Sequence, residues 1–253
     1  MTAAAPTLSA RERLIFPLDV PDSETALGLV EELHQDVGIF KVGKQLFVKS
    51  GPAIVHAIQN RGCDVFLDLK FHDIPQTTAL ASVEATRLGV KMFTLHTSGG
   101  GEMLRAAREA VDAACETEGH RRPILLGVTV LTSSSPEDLA SLGITDSIED
   151  QVVRLARLAC DSGIDGLVAS PMEVERIRAE CGTRPSLVTP GVRPLAADWG
   201  DQKRVRTPTE AIASGADFLV VGRPIRDAKI PAEVAREITL EINEGLRLRD
   251  KKE

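Results

Sequence analysis

Short apolar or β-branched runs recur along the whole chain, separated by longer stretches in which apolar residues fall at helical spacing. The runs are Leu14–Val20, Gly38–Val42, Asp64–Lys70, Met92–Thr97, Ile124–Leu131, Gly166–Ser170, Ser186–Pro190 and Phe218–Val221. Most are continuously apolar rather than alternating, as strands covered on both faces are. Between them, Ala26, Leu29, Val30 and Leu33 follow Asp22 at i, i+3, i+4 and i+7, the stripe of a helix with one buried face. Ser147-Ile148-Glu149-Asp150 reads as a capped start, with Val152, Leu155, Ala156 and Ala159 on one face and Gly163 as the stop. Pro231 suits a first helical position, and Val234, Ile238 and Ile242 continue one face.

Eight such strand–helix units in 253 residues predict an α/β fold, the (β/α)8 TIM barrel, as a single domain. A doubly wound open sheet is the rival, but no G-x-G-x-x-G turn follows the first strand. The glycine cluster Gly99-Gly100-Gly101 reads as a loop-to-helix entry. No Pro/Gly/Ser-rich tract divides the chain. Residues 1–10 read as a loose leader and 11–253 as the barrel.

Composition narrows the function classes. Hydrophobic residues make up 43% and charged residues 26%, which is globular rather than disordered or membrane composition. A net charge of −7 argues against a nucleic-acid surface; the one basic run, Arg247 to Lys252, reads as a solvated helix end. Cys63, Cys115, Cys160 and Cys181 are far apart with no C-x-x-C pair, so they read as reduced, packed thiols. No signal-peptide core opens the chain and no apolar run approaches ~18 residues, so a cytoplasmic protein with no membrane partner is expected.

The polar residues that break the apolar runs cluster at the C-terminal ends of strands, where barrels carry their catalytic groups. The densest such array is Asp68-Leu69-Lys70-Phe71-His72-Asp73-Ile74-Pro75. Residues two apart in a strand share a face, so Asp68 and Lys70 point the same way, with Asp73 just beyond. Burying a carboxylate and an ammonium is costly unless they pair or do chemistry. Asp19 follows the first strand, Lys41 lies in the second, Thr132 and Ser133 follow the fifth, Arg193 the seventh and Arg223 the eighth.

The last two loops point to a phosphate. Pro190-Gly191-Val192-Arg193-Pro194 and Val221-Gly222-Arg223-Pro224 each set a glycine ahead of an arginine at a strand end. Glycine admits close backbone approach and arginine clamps an anion. Barrel phosphate sites commonly lie between these two loops. The polar stretch from Leu195 to Arg206, containing Trp199-Gly200-Asp201-Gln202, has the length of a lid. The five histidines show no zinc-ligand spacing, and no G-x-S-x-G elbow is present. Asp68 and Asp73 are oxygen ligands that a divalent cation could use, although the cationic Lys70 between them disfavours one.

Together these motifs resemble the orotidine 5′-phosphate decarboxylase family. The resemblance rests on the D-L-K-F-H-D-I-P array, ending at Thr77, and on Pro17-Leu18-Asp19, Lys41-Val42-Gly43-Lys44 and Val128-Thr129-Val130-Leu131-Thr132-Ser133. Val188-Thr189-Pro190-Gly191-Val192-Arg193-Pro194, Gly200-Asp201-Gln202 and Val221-Gly222-Arg223-Pro224 complete it, in the family's order, from about residue 14 to 240. It is similar to the enterobacterial type, with the long GDQ loop. Two departures stand out: Leu195-Ala196-Ala197-Asp198-Trp199 where the lid usually has small residues, and Pro17 where Ala is common.

The resemblance implies a cofactor-free, metal-free conversion of orotidine 5′-monophosphate to uridine 5′-monophosphate (UMP) in pyrimidine biosynthesis. It implies that Lys70 protonates C6 as carbon dioxide leaves, beside Asp68, with Lys41 and Asp19 on the ribose. Thr132 and Ser133 would face the pyrimidine. Arg193, Gln202, Gly222 and Arg223 would hold the phosphate. Asp73, Ile74 and Thr77 would enter the site of a neighbouring subunit, making a homodimer with shared sites. The nearest alternatives are the magnesium-dependent sugar-phosphate members of the same suprafamily and a non-catalytic nucleotide-binding barrel. Thr132-Ser133 and the GDQ loop favour the pyrimidine substrate.

Overall fold

The computed structural model describes residues 8–194 and 206–251. Its strands are β1 (Leu14–Pro17), β2 (Ile39–Gly43), β3 (Asp64–Phe71), β4 (Met92–His96), β5 (Ile124–Val128), β6 (Gly166–Val168), β7 (Ser186–Pro190) and β8 (Phe218–Val220). All pair in parallel with their sequence neighbours, and β1 also pairs with β8, so the sheet closes. Helices separate the strands along the chain, giving a (β/α)8 barrel.

Strand parity divides the core in two. Ile15, Ile39, Phe66, Met92, Leu126, Val188 and Phe218 fill the barrel interior. The residues one step along, Leu14, Phe16, Phe40, Val65, Leu67, Phe93, Leu125, Leu187 and Leu219, pack with apolar helix faces in a second, larger cluster. Both sets are almost fully buried, which is why the strands read as unbroken apolar runs. The interior is plugged, so a ligand site is confined to an end of the barrel.

Helix boundaries follow local chemistry. The Asp22 carboxylate accepts from the Thr25 N–H (2.9 Å) and caps the helix Ser23–Leu33, which buries Ala26, Val30 and Leu33. Ser147 caps Ile148–Asp161 in the same way, with Val152, Leu155, Ala156 and Ala159 buried, and Gly163 follows at φ 78°. Pro231 opens the helix Pro231–Asp250. Gly99-Gly100-Gly101 spans a 3-10 turn and the start of the helix Gly100–Glu118. At the N-terminus, Ser9 and Glu12 form a capping box on the short helix Ala10–Arg13, so residues 9 and 10 of the expected leader are built into the barrel's base.

Some strand ends differ from expectation. β1 stops at Pro17 and β5 at Val128, which places Leu18–Asp19 and Thr129–Leu131 on loops. β3 runs one residue further, to Phe71.

At the N-terminal end of the barrel, aspartates at or just before strand starts accept from arginine and lysine. Asp217 meets Arg178 (2.6 Å) and takes the Leu187 N–H (2.9 Å); Asp165 meets Arg108 (2.8 Å) and takes the Leu125 N–H (2.9 Å). These bonds tie strands together at the end away from the candidate site.

Candidate active site

Parity carries the interior face upward from the apolar plug into charge. Lys41 is two residues past Ile39, Asp68 two past Phe66, and Lys70 two past Asp68. The three side chains line one cavity of about 240 Å³ at the C-terminal end of the barrel, above Phe66, Val128, Val168 and Val220. Thr132 and Ser133, on the loop after β5, line the same cavity.

The charges alternate along a chain of contacts. Lys70 Nζ lies 2.7 Å from Asp68 Oδ1, Asp68 Oδ2 lies 3.5 Å from Lys41 Nζ, and Lys41 Nζ donates to Asp19 Oδ1 at 3.1 Å. The side chain of Lys41 is 11% exposed, that of Asp68 13% and that of Lys70 23%. Burial pushes the Asp68 carboxyl up. The ammonium groups of Lys41 and Lys70, with hydrogen bonds from Lys70 and Thr94, outweigh it and hold Asp68 below its ordinary value of 3.8. Gly43 leaves room for the array: a Cβ there would come within 3.3 Å of both Asp19 Oδ1 and Lys41 Nζ.

Lys70 is held in an unusual backbone. It is the one non-glycine residue with positive φ (53°) among the described residues. The β3–β4 register shifts at the same place, with Leu67 opposite Phe93 and Phe71 opposite Leu95. Left-handed backbone costs a residue with a Cβ roughly 1–2 kcal/mol, so surrounding bonds must hold it. The Lys70 N–H donates to Thr94 Oγ1 (2.9 Å), and Thr94 Oγ1 in turn donates to Asp68 Oδ1 (3.0 Å). Sequence reading missed Thr94. Its signal was a lone hydroxyl in the apolar run Met92-Phe93-Thr94-Leu95.

Next to the array, His72 and His96 lie with ring centroids 5.5 Å apart. Burial, then the His72 ring and the lysines Lys44 and Lys70, hold His96 below 6.5 and so neutral at pH 7.

The two glycine–arginine loops meet beside the cavity, whose rim includes Pro190 and Val220. Gly191 takes φ 85°, and Gly222 precedes the short helix Arg223–Arg226. A Cβ on Gly222 would come 2.8 Å from the Pro17 ring. Burial and the neighbouring Arg223 push the Arg193 guanidinium down. Among the described residues, no carboxylate lies within ion-pair distance of either Arg193 or Arg223, so the two cations are left to an anion. The Arg193 N–H donates to the Arg206 carbonyl (3.1 Å), closing the base of the long loop. Gln202, and with it Leu195 to Val205, lies outside the described residues.

Asp73, Ile74 and Thr77 do not join this cavity. They are exposed at the start of the helix Pro75–Arg87, and the Asp73 carboxylate accepts the Ile74 N–H at 2.6 Å. Among the described residues, no group of three or more His, Cys, Asp or Glu is placed to hold a metal ion, and no helix is long and apolar enough to cross a membrane.

Residues 12–238 match the family model described as the orotidine 5′-phosphate decarboxylase / HUMPS family. The chain belongs to this family. It is 53% identical over 236 residues to the orotidine 5′-phosphate decarboxylase of Geobacter metallireducens, covering 93% of this chain and 98% of that one. The same-named protein of Geobacter sulfurreducens is 54% identical with the same coverage. Among solved structures, the orotidine 5′-phosphate decarboxylase of Lactobacillus acidophilus superposes with a TM-score of 0.81 at 34% identity, over 91% of this chain and 98% of that one. In this orotidine 5′-phosphate decarboxylase / HUMPS family member, the match spans β1 to β8 and every described residue of the charged array.

Proposed function

We propose that this chain decarboxylates orotidine 5′-monophosphate to UMP and carbon dioxide, in de novo pyrimidine biosynthesis. The observation that carries this reading is the Asp19–Lys41–Asp68–Lys70 chain of contacts beside Arg193 and Arg223, which have no carboxylate partner among the described residues, in a member of this family.

Loss of carbon dioxide from C6 leaves its bonding electron pair on a ring carbon that cannot delocalise it well. A fixed ammonium offsets that charge as it develops. The Lys70 ammonium then donates its proton to C6, and the neutral amine is reprotonated from solvent. Asp68 faces the departing carboxylate, and its fixed contacts to both lysines keep the ammonium aimed without reorganisation. Lys41 and Asp19 bind the ribose hydroxyls, and Thr132 with Ser133 the pyrimidine edge. Arg193, Arg223, the Gly222 N–H and Gln202 bind the phosphate. Phosphate binding, remote from C6, supplies energy for alignment at the reacting carbon. No step in this account requires a cofactor or a metal.

Asp73, Ile74 and Thr77 act in the site of a second copy. Their exposure outside their own cavity supports this, as do two exposed apolar side chains nearby: Ile74, the N-cap of the helix Pro75–Arg87, is 65% exposed and Leu80, within it, 58%.

The test is the absorbance loss of orotidine 5′-monophosphate with the purified chain in excess EDTA. Chelator-resistant turnover yielding UMP is expected. Turnover of a sugar phosphate that needs magnesium, with orotidine 5′-monophosphate untouched, would assign the chain to the other chemistry of its family.

A further inference from the structure

We propose that Thr94 is the positioning residue that sets the reacting geometry of Lys70, by joining its strained backbone to the Asp68 carboxylate through one hydroxyl. The proposal rests on the decarboxylase reading and deepens it.

Between Leu67 and Phe71 the β3–β4 ladder loses register, so the Lys70 N–H has no regular carbonyl partner there. A buried N–H left without an acceptor is costly. Thr94 is fully buried on the interior face, two residues past Met92, and its Oγ1 takes that N–H at 2.9 Å. A hydroxyl has one proton. With its oxygen accepting from Lys70, that proton goes to Asp68 Oδ1 at 3.0 Å, the same oxygen that receives Lys70 Nζ at 2.7 Å. Three bonds thus close a small ring: backbone of Lys70, hydroxyl of Thr94, carboxylate of Asp68, ammonium of Lys70. The ring fixes both ends of the lysine, its left-handed backbone at φ 53° and its charged tip. The other charged and titratable groups facing Asp68 are Lys41 from β2 and His96 from β4; neither reaches the Lys70 backbone.

Two variant pairs isolate the hydroxyl. Thr94→Val is nearly isosteric with the native residue, and Thr94→Ser differs from Thr94→Ala only in the oxygen. Expected results for Thr94→Val are a kcat lower by about 10- to 100-fold, a KM within about threefold, and an acid limb of the pH–rate profile displaced upward, because Asp68 has lost a donor. Thr94→Ser should keep kcat within about threefold and Thr94→Ala should not, which decides the matter even if Thr94→Val does not fold. A readout independent of turnover is the Asp68 carboxyl titration by 13C NMR, which moves up in Thr94→Val and Thr94→Ala and stays in Thr94→Ser. An unmoved Asp68 titration, or equal losses in Thr94→Ser and Thr94→Ala, would overturn the proposal. Absence of orotidine 5′-monophosphate turnover by the native chain would instead overturn the decarboxylase reading and leave the NMR result to judge Thr94.

Discussion

Asp68 stands between two ammonium groups, 2.7 Å from Lys70 Nζ and 3.5 Å from Lys41 Nζ. Its carboxyl is held below 3.8 in the folded chain, so its contribution to stability is complete above about pH 4 and is lost as pH falls through the depressed value. Replacing it removes the carboxylate between the two ammonium groups, leaving Lys41 only Asp19 and Lys70 no carboxylate partner among the described residues. Asp68→Asn should therefore lower the melting temperature at pH 7 by about 3–6 °C, for a loss of 1–2 kcal/mol. The difference from native should shrink below pH 4. A pH-independent difference in calorimetry would show that the pairing does not supply the stability. The types and face-sharing of Asp68 and Lys70 were legible in the sequence, because a period of two is a property of any strand. The positive φ at Lys70 and the hydroxyl of Thr94 were not, because they depend on a register shift between strands far apart in the chain.

At the scale of elements, the two ends of the barrel use charge differently. At the C-terminal end the charges are packed round a cavity; at the N-terminal end Asp165 and Asp217 each take an arginine and a strand N–H, and Asp64 takes Lys91. Asp217 holds Arg178 at 2.6 Å and the Leu187 N–H at 2.9 Å. Asp217→Ala takes the carboxylate from a largely buried guanidinium that keeps only backbone carbonyls and leaves the Leu187 N–H without its acceptor, at a cost of about 2–3 kcal/mol. The expected outcome is a melting temperature lower by roughly 5–10 °C with unchanged kcat below the transition. A kcat loss of tenfold or more in folded protein would show the two ends to be coupled. The eight strands could be placed from sequence because both faces of each are buried. Their ends could not: β1 stops at Pro17 and β5 at Val128 where the chain leaves the ladder, which apolar content does not mark. The contact between Pro17 and Gly222 was hidden for a similar reason, since it joins the first and last strands.

At the scale of the whole molecule, the proposed shared sites require two copies. With Lys70 serving its own cavity and Asp73 a second copy's, as proposed, a Lys70→Ala chain and an Asp73→Ala chain, each inactive alone, should form mixed dimers with one intact site. Recovery of up to a quarter of native activity is expected on statistical mixing, at about one restored site in four. Mixed dimers with no recovery would show that the sites are not shared. Protonation of a C6 carbanion by Lys70 is tested by running the reaction in D2O with native and Lys70→Ala proteins. UMP carrying one deuteron at C6 is expected from the native chain, and a rate lower by at least ~1,000-fold from Lys70→Ala with UMP binding retained. Unchanged substrate with the native chain, or a Lys70→Ala rate within tenfold of native, would contradict it.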